Sequence, residues 1–233
     1  MAIVDVQKSY IGVGKVLARP YGSTGRLRYV GNVSKLGLKQ KLDTKKQKDY
    51  TRSGGGTLAR IDRLDSVEAA MTWLSFSAEN WALACAGVMA PVVGGTVAAE
   101  VVKGYLDSTV PLANPPSAIT TVTNSAATTT YAAGTDYEKS ASGIYITYTY
   151  GAYSRVEGVM QASTVLELLF EGLNEADSNK PVLVNLWRVS VPSADEIALI
   201  GDDFGKSDFS SELLKDPNKG TGVSAFYRAL LTT

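Results

Sequence analysis

The residues best placed to do chemistry lie between positions 43 and 57. Lys45, Lys46, Lys48 and Arg52 are interleaved with Asp43 and Asp49, and Gly54, Gly55 and Gly56 follow. Ammonium and guanidinium groups at this density bind anions, either phosphates or the carboxylates of another protein surface. The whole-chain charge helps to choose between them. Residues 1–60 hold 13 Lys and Arg against 3 Asp, a balance of +10, and the remaining residues carry −10. A basic segment alone would suggest nucleic acid. An equally acidic remainder points instead to one part of a subunit meeting the complementary part of its neighbour. Solvated charge on ordinary surface strands is the plain alternative.

Other chemistry has little to work with. The chain has no histidine, which removes the commonest general base, the Ser-His and Cys-His dyads and the usual zinc ligand. Gly12-Val13-Gly14-Lys15 lacks the spacing of a phosphate loop, and Val16 stands where that loop needs a hydroxyl. Three consecutive glycines at 54–56 have no strand-then-helix context for a dinucleotide site. The carboxylates Asp195, Glu196, Asp202, Asp203 and Asp208 offer oxygens to a hard cation, but they do not follow the EF-hand spacing, so solvated acids are the expectation. Cys85 is the single cysteine and sits in an apolar stretch, as a small packed side chain would. Tyr145, Tyr148, Tyr150 and Tyr153 form a base-stacking set on paper, with packing the better account. No catalytic residue, cofactor or metal is expected.

The elements that must position the basic segment are strands. Leu36, Leu38 and Leu42 recur at even spacing, with Lys35, Lys39, Lys41 and Lys45 on the opposite face, which is the period of a half-buried strand. Its apolar pattern stops at Leu42 while the chain runs on, polar on both faces, to the glycines. Residues 57–64 alternate again and return antiparallel, giving a long hairpin whose residues 43–57 project as a mobile, glycine-tipped arm. Alternation continues through Val67, Ala69, Met71, Trp73 and Ser75. Ser77 then supplies an N-cap for a helix over residues 78–86, with Trp81, Leu83, Ala84 and Cys85 on its buried side and Gly87 ending it. Earlier, residues 10–18 and 26–30 read as strands.

Turn clusters at 92–95, 114–117, 134–136 and 142–143 punctuate strands expected at 96–105, 118–123, 128–132, 137–140 and 144–150. Longer strands are expected at 156–173 and 181–191. A capping-box pattern at Ser193-Ala194-Asp195-Glu196 suggests a brief helical turn, and 209–214 and 223–231 supply the last strands. With 45% hydrophobic and 20% charged residues, the whole fits one domain, 1–233, of mainly β class. Two packed antiparallel sheets, a sandwich or partly closed barrel, carry one flanking helix and the protruding hairpin. The first residues lack a signal-peptide pattern, and the longest weakly polar run, 82–93, is too short to span a bilayer. The expectation is a protein made in the bacterial cytoplasm that does not bind membranes.

In order along the chain, several segments resemble the tail tube proteins of long-tailed, siphovirus-type bacteriophages. They are Tyr29-Val30-Gly31-Asn32-Val33-Ser34, the charged arm with its glycine tip, and Ser77-Ala78-Glu79-Asn80-Trp81-Ala82-Leu83-Ala84. Further on come Gly134-Thr135-Asp136-Tyr137-Glu138, Glu171-Gly172-Leu173-Asn174, Val184-Asn185-Leu186-Trp187-Arg188-Val189, Leu199-Ile200-Gly201-Asp202-Asp203-Phe204 and Leu213-Leu214-Lys215-Asp216-Pro217. The resemblance implies a structural virion protein: six subunits form a ring, their sheets join into an inner barrel, and the arm reaches the adjacent ring. Rings stack into the tube through which viral DNA is ejected. The implied partners are further copies of the chain, the tail terminator, tape measure and distal tail proteins, and DNA passing transiently through the lumen. On this view Lys45, Lys46, Lys48, Asp49, Arg52, Gly54, Gly55, Gly56, Asp202 and Asp203 lie at ring-to-ring contacts, and the lumen is neutral to acidic. The alternatives are a tail terminator, a tube subunit of a type VI secretion system, or a β-sandwich ligand-binding module with Trp73, Trp81 and Trp187 as stacking residues.

Overall fold

The computed structural model of the chain describes residues 9–51, 53–102, 110–124, 126–131 and 144–232. Strands β1 (Gly12–Pro20), β2 (Arg28–Tyr29), β3 (Val33–Lys48) and β4 (Thr57–Trp73) lead to helix α1 (Ala78–Ala84). Strands β5 (Val88–Val92), β6 (Gly95–Val102), β7 (Ala118–Asn124), β8 (Ile144–Tyr150) and β9 (Tyr153–Glu157) follow. Strands β10 (Ser163–Asn174), β11 (Lys180–Pro192), β12 (Ser207–Leu213) and β13 (Tyr227–Leu231) complete the chain. The fold is mainly β and antiparallel, with one α-helix among the described residues and a long hairpin, as the alternating patterns required.

These elements form two compact units, residues 1–88 with 156–233 and residues 89–155, where the sequence suggested a single domain. The reason is that each has its own core. In the larger unit seven strands of an eight-stranded sheet run β2-β1-β10-β11-β12-β4-β3, and the eighth, β13, pairs with β11 off this path. One edge of β11 serves two partners in turn, β13 along Val182–Leu186 and β12 at Val189 and Ser190. The sheet curls strongly. Strands β1 and β3 lie five steps apart in this order, about 24 Å if the sheet were flat, yet Val13 and Val16 of β1 line one cleft of about 490 Å³ with Leu36 and Leu38 of β3. Curling lets β1, β4, β10, β11 and β12 bury Val16, Met71, Trp73, Leu168, Leu186 and Phe209 in one core, a sandwich-type solution. Trp73 and Phe209 stack at 4.9 Å between ring centroids.

The smaller unit has a three-stranded sheet, β6-β8-β7, over Val102, Val122, Ile144, Ile146 and Tyr148. The Tyr148 hydroxyl donates to Glu100 Oε2 at 2.6 Å and accepts from the Asn114 backbone N–H at 3.2 Å, so this fully buried ring keeps its polar end satisfied. The four tyrosines therefore do not form an open stacking platform. Strands β5 and β9 pair as a separate two-stranded ribbon.

Several boundaries differ from the sequence reading. The long strand expected at 156–173 is two strands, because the chain turns after Glu157 and Val159 takes a left-handed φ of 57°. Residues 193–196 form no helical turn. Residues 128–131 contribute a single bridge, Thr123 to Thr130, and the strand expected at 137–140 lies outside the described residues. Helix α1 stops at Ala84 with Cys85 as its C-cap. Ala86, at φ 48°, takes the left-handed position, donating to Leu83 O, and Gly87 N donates to Ala82 O at 2.7 Å. That is the Schellman bonding pattern with alanine in the usual glycine place. Glycine is needed one residue later, where a Cβ on Gly87 would lie 2.2 Å from Glu157 O. The helix buries Asn80, Ala82 and Ala84, with Trp81, Leu83 and Cys85 half-buried. Asn80 Nδ2 donates to Val30 O and Ser75 O at 2.7 and 2.8 Å, fastening the helix to the chain on both sides.

Candidate assembly surface

The β3–β4 hairpin builds the basic segment into a two-stranded arm. Its ladder runs from Val33 opposite Trp73 to Lys48 opposite Thr57, with irregularities at Val33/Lys35, Lys41/Leu42 and Gln47/Lys48. At its root β4 alternates between buried and half-buried, and Val67, Ala69, Met71 and Trp73 face the core. From Leu64 to Thr57 every residue of β4 is exposed, as is nearly all of β3 beyond Leu38. No other described element covers either face there, so the hairpin protrudes.

The arm is a paired ribbon with side-chain bonds along its length and at its tip. A cross-strand bond and a bond along β4 meet on one carboxylate: Thr44 Oγ1 donates across to Asp62 Oδ1 at 2.6 Å, and Arg60 Nε, on the same strand, donates to the same oxygen at 2.8 Å. The Arg60 bond, then the Thr44 hydroxyl, keep the Asp62 carboxyl below its ordinary range. Lys45 lies 3.4 Å from Asp43. At the tip, Asp49 N donates to Gly56 O, and Asp49 Oδ1 accepts from the Thr51 hydroxyl and N–H, which lowers the Asp49 pKa. Gly54 and Gly55 then turn the chain with φ 106° and 63°. Lys45 stands opposite Ile61, Lys46 opposite Arg60, and Lys48 opposite Thr57. Arg52 lies outside the described residues.

The arm is also apolar in part, which the sequence reading underrated. Leu42, Leu58, Ile61 and Leu64 are each about half exposed or more, and Tyr50 near the tip is 86% exposed. The signal was present in the returning strand, whose Leu58, Ile61 and Leu64 have no core left to face.

Asp202 and Asp203 are exposed in the loop between β11 and β12. That loop enters β12 at Ser207, which pairs with Trp73 at the root of β4. The arm tip begins at Thr57, sixteen residues away along the same strand, roughly 50 Å at a strand's rise per residue. One chain therefore does not bring its arm lysines to its own Asp202 and Asp203. Part of the charge division closes inside the chain instead: Arg19 pairs with Glu167 at 2.7 Å and Lys41 pairs with Glu68.

The remaining sequence candidates have packing roles. A Cβ on Gly14 would lie 2.3 Å from Glu171 O, so Gly12-Val13-Gly14-Lys15 is a strand whose glycine permits close approach of β10. Asp208 accepts from the Thr72 hydroxyl, which chiefly holds its pKa down, and lies 3.5 Å from Lys206. Trp73 and Trp187 are buried; Trp187 Nε1 donates to Ser224 O, and Lys219 Nζ sits 3.7 Å from its ring centroid. Trp81 packs on Phe76. Two of the three tryptophans proposed for ligand stacking are thus unavailable.

No curated protein matches the chain. A family model described as "Protein of unknown function UCP028589" matches residues 9–230. That span takes in the arm, both units and the β11–β12 loop, and the chain belongs to this family of unknown function.

Proposed function

We propose that this chain is a structural subunit of a phage tail tube, assembling into rings that stack into the conduit for viral DNA. The observation that carries this reading is the β3–β4 hairpin, which keeps its backbone ladder for many residues beyond the last core contact and leaves nearly all of residues 42–48 and all of residues 57–64 exposed. A monomer gains nothing from such an extension, because uncovered apolar side chains and strand edges invite pairing. A subunit that must reach a neighbour does. The order of segments resembling tail tube proteins supports the same reading, as does a chain without histidine, for which a structural role is more natural than a catalytic one. Self-association through two different surfaces closes into rings or extends into open polymers according to the rotation between copies.

In this role the protein is a virion component made in the host cytoplasm. It takes no cofactor, and its partners are its own copies and the proteins at either end of the tube. DNA crosses the lumen without being held, since every phosphate neutralised by a fixed Lys or Arg would add affinity and slow passage. The arm lysines are accordingly assigned to contacts between rings. Negative-stain microscopy of the purified protein tests the proposal: long hollow tubes are expected. Isolated rings alone would favour a terminator, and a monomer at all concentrations would overturn the reading.

A further inference from the structure

Between β11 and β12 the loop exposes three large apolar side chains within six residues: Leu199, Ile200 at 96% and Phe204 at 100%. Soluble monomers seldom leave such a cluster in water unless another surface covers it. From 193 to 205 the loop contains Asp195, Glu196, Asp202 and Asp203, and no Lys or Arg. Its surface is thus apolar and acidic together. The arm is the reverse: between 42 and 64 it has six Lys and Arg against three Asp, with Tyr50, Leu58 and Ile61 exposed near the tip.

We infer that the Leu199–Phe204 loop is the receptor for the arm of a second copy, with Ile200 and Phe204 seated against Leu58 and Ile61, and Asp202 and Asp203 facing Lys45, Lys46 and Lys48. This rests on the tube reading and adds to it the surface that accepts the arm. Complementary charge selects the second copy as occupant. The placement of the two features selects the geometry. They lie at opposite ends of β4, so a copy shifted along that strand presents its loop to the first copy's arm tip, while its own arm stays free for a third. Such a head-to-tail contact does not close and propagates along one axis. The carboxylates set register and speed of docking, and the apolar residues supply most of the adhesion, because exposed ion pairs contribute little.

The test uses the full chain in a Cys85→Ser background. One preparation has Phe204→Cys, a second Ile61→Cys, and a third Val93→Cys, a control at a residue 83% exposed in the smaller unit. After mixing and mild oxidation with copper-phenanthroline, a disulfide-linked pair is expected for Phe204→Cys with Ile61→Cys and not with Val93→Cys. Equal linkage to both overturns the inference. In parallel, Ile200→Ser/Phe204→Ser, at positions too exposed to disturb folding, raises the concentration needed for tube growth about tenfold or more. Tubes at the wild-type concentration overturn the loop contact and leave the tube reading standing. Selective linkage without tubes under any condition retains the contact and defeats the tube reading.

Discussion

The two halves of the β3–β4 hairpin share one backbone and differ in everything around it. In the root half, Val67, Ala69, Met71 and Trp73 alternate into a sealed core against β12 and β10. In the arm half, Leu42, Leu64 and Ile61 continue as strand residues in register with their partners, yet remain in water. Local structure is the same; cover is not. The difference teaches that backbone pairing and cross-strand contacts maintain a ribbon, whereas stability comes from burial. A ribbon without burial leaves its apolar side chains in water.

The comparison is broken most directly by Trp73→Ala at the root, which should cost about 3–5 kcal/mol of stability in a denaturant titration because the cavity beside Phe209 cannot collapse fully. A cost near zero would mean that the root is no better packed than the arm. Next comes acid. Burial of Asp216 pushes its carboxyl up, but the Asn218 N–H, the Tyr21 hydroxyl and Lys219 outweigh it, and the net shift is downward. A carboxyl whose pKa is depressed by folding stabilises the protein above its unfolded pKa, about 4, and that stability is lost as pH falls through the lower folded value. Asp216→Asn should therefore flatten the acid limb of the unfolding profile. Asp62→Asn on the arm, whose carboxyl is also lowered, should leave the global midpoint unchanged, since the arm does not share the core.

A smaller and local effect is expected at the tip. Gly55→Ala places a Cβ in the left-handed region at a cost of roughly 1–2 kcal/mol, and it should quicken amide exchange from Lys45 to Ala59 without moving exchange in residues 67–73. The smallest effect is Ile61→Ser, which should change the stability of the unassembled chain by less than about 0.5 kcal/mol. If Ile61→Ser destabilises the chain as Trp73→Ala does, the arm is folded against the rest of its own chain and the contrast disappears.

Much of the fold was legible in the sequence. The even spacing of Leu36 and Leu38 and of Val67 to Trp73 identified the root strands, and the N-cap Ser77 identified the helix start, where its hydroxyl accepts from Asn80 N at 3.2 Å. The break within 156–173 was not legible, because Gly158 and Val159 give no turn signal stronger than a continuous strand would tolerate. Nor was the separate unit at 89–155, since a second core leaves no mark in local periodicity. For the candidate surface, the arm's lysines and glycines were readable, while its apolar residues looked like ordinary inward-facing positions. Leu199, Ile200 and Phe204 likewise look like core residues until their exposure is known.

What the sequence alone determined is the class of secondary structure, the hairpin, the helix and the absence of histidine chemistry, because these follow from spacing and residue type. Only the tertiary structure decided which apolar residues are covered. It curled one sheet until β1 and β3 faced a common cleft, ended cover along β4 near Val67, and set the acidic loop and the basic tip at opposite ends of the same strand. Alternation specifies which face a side chain takes, but whether that face meets protein or water depends on strands distant in sequence.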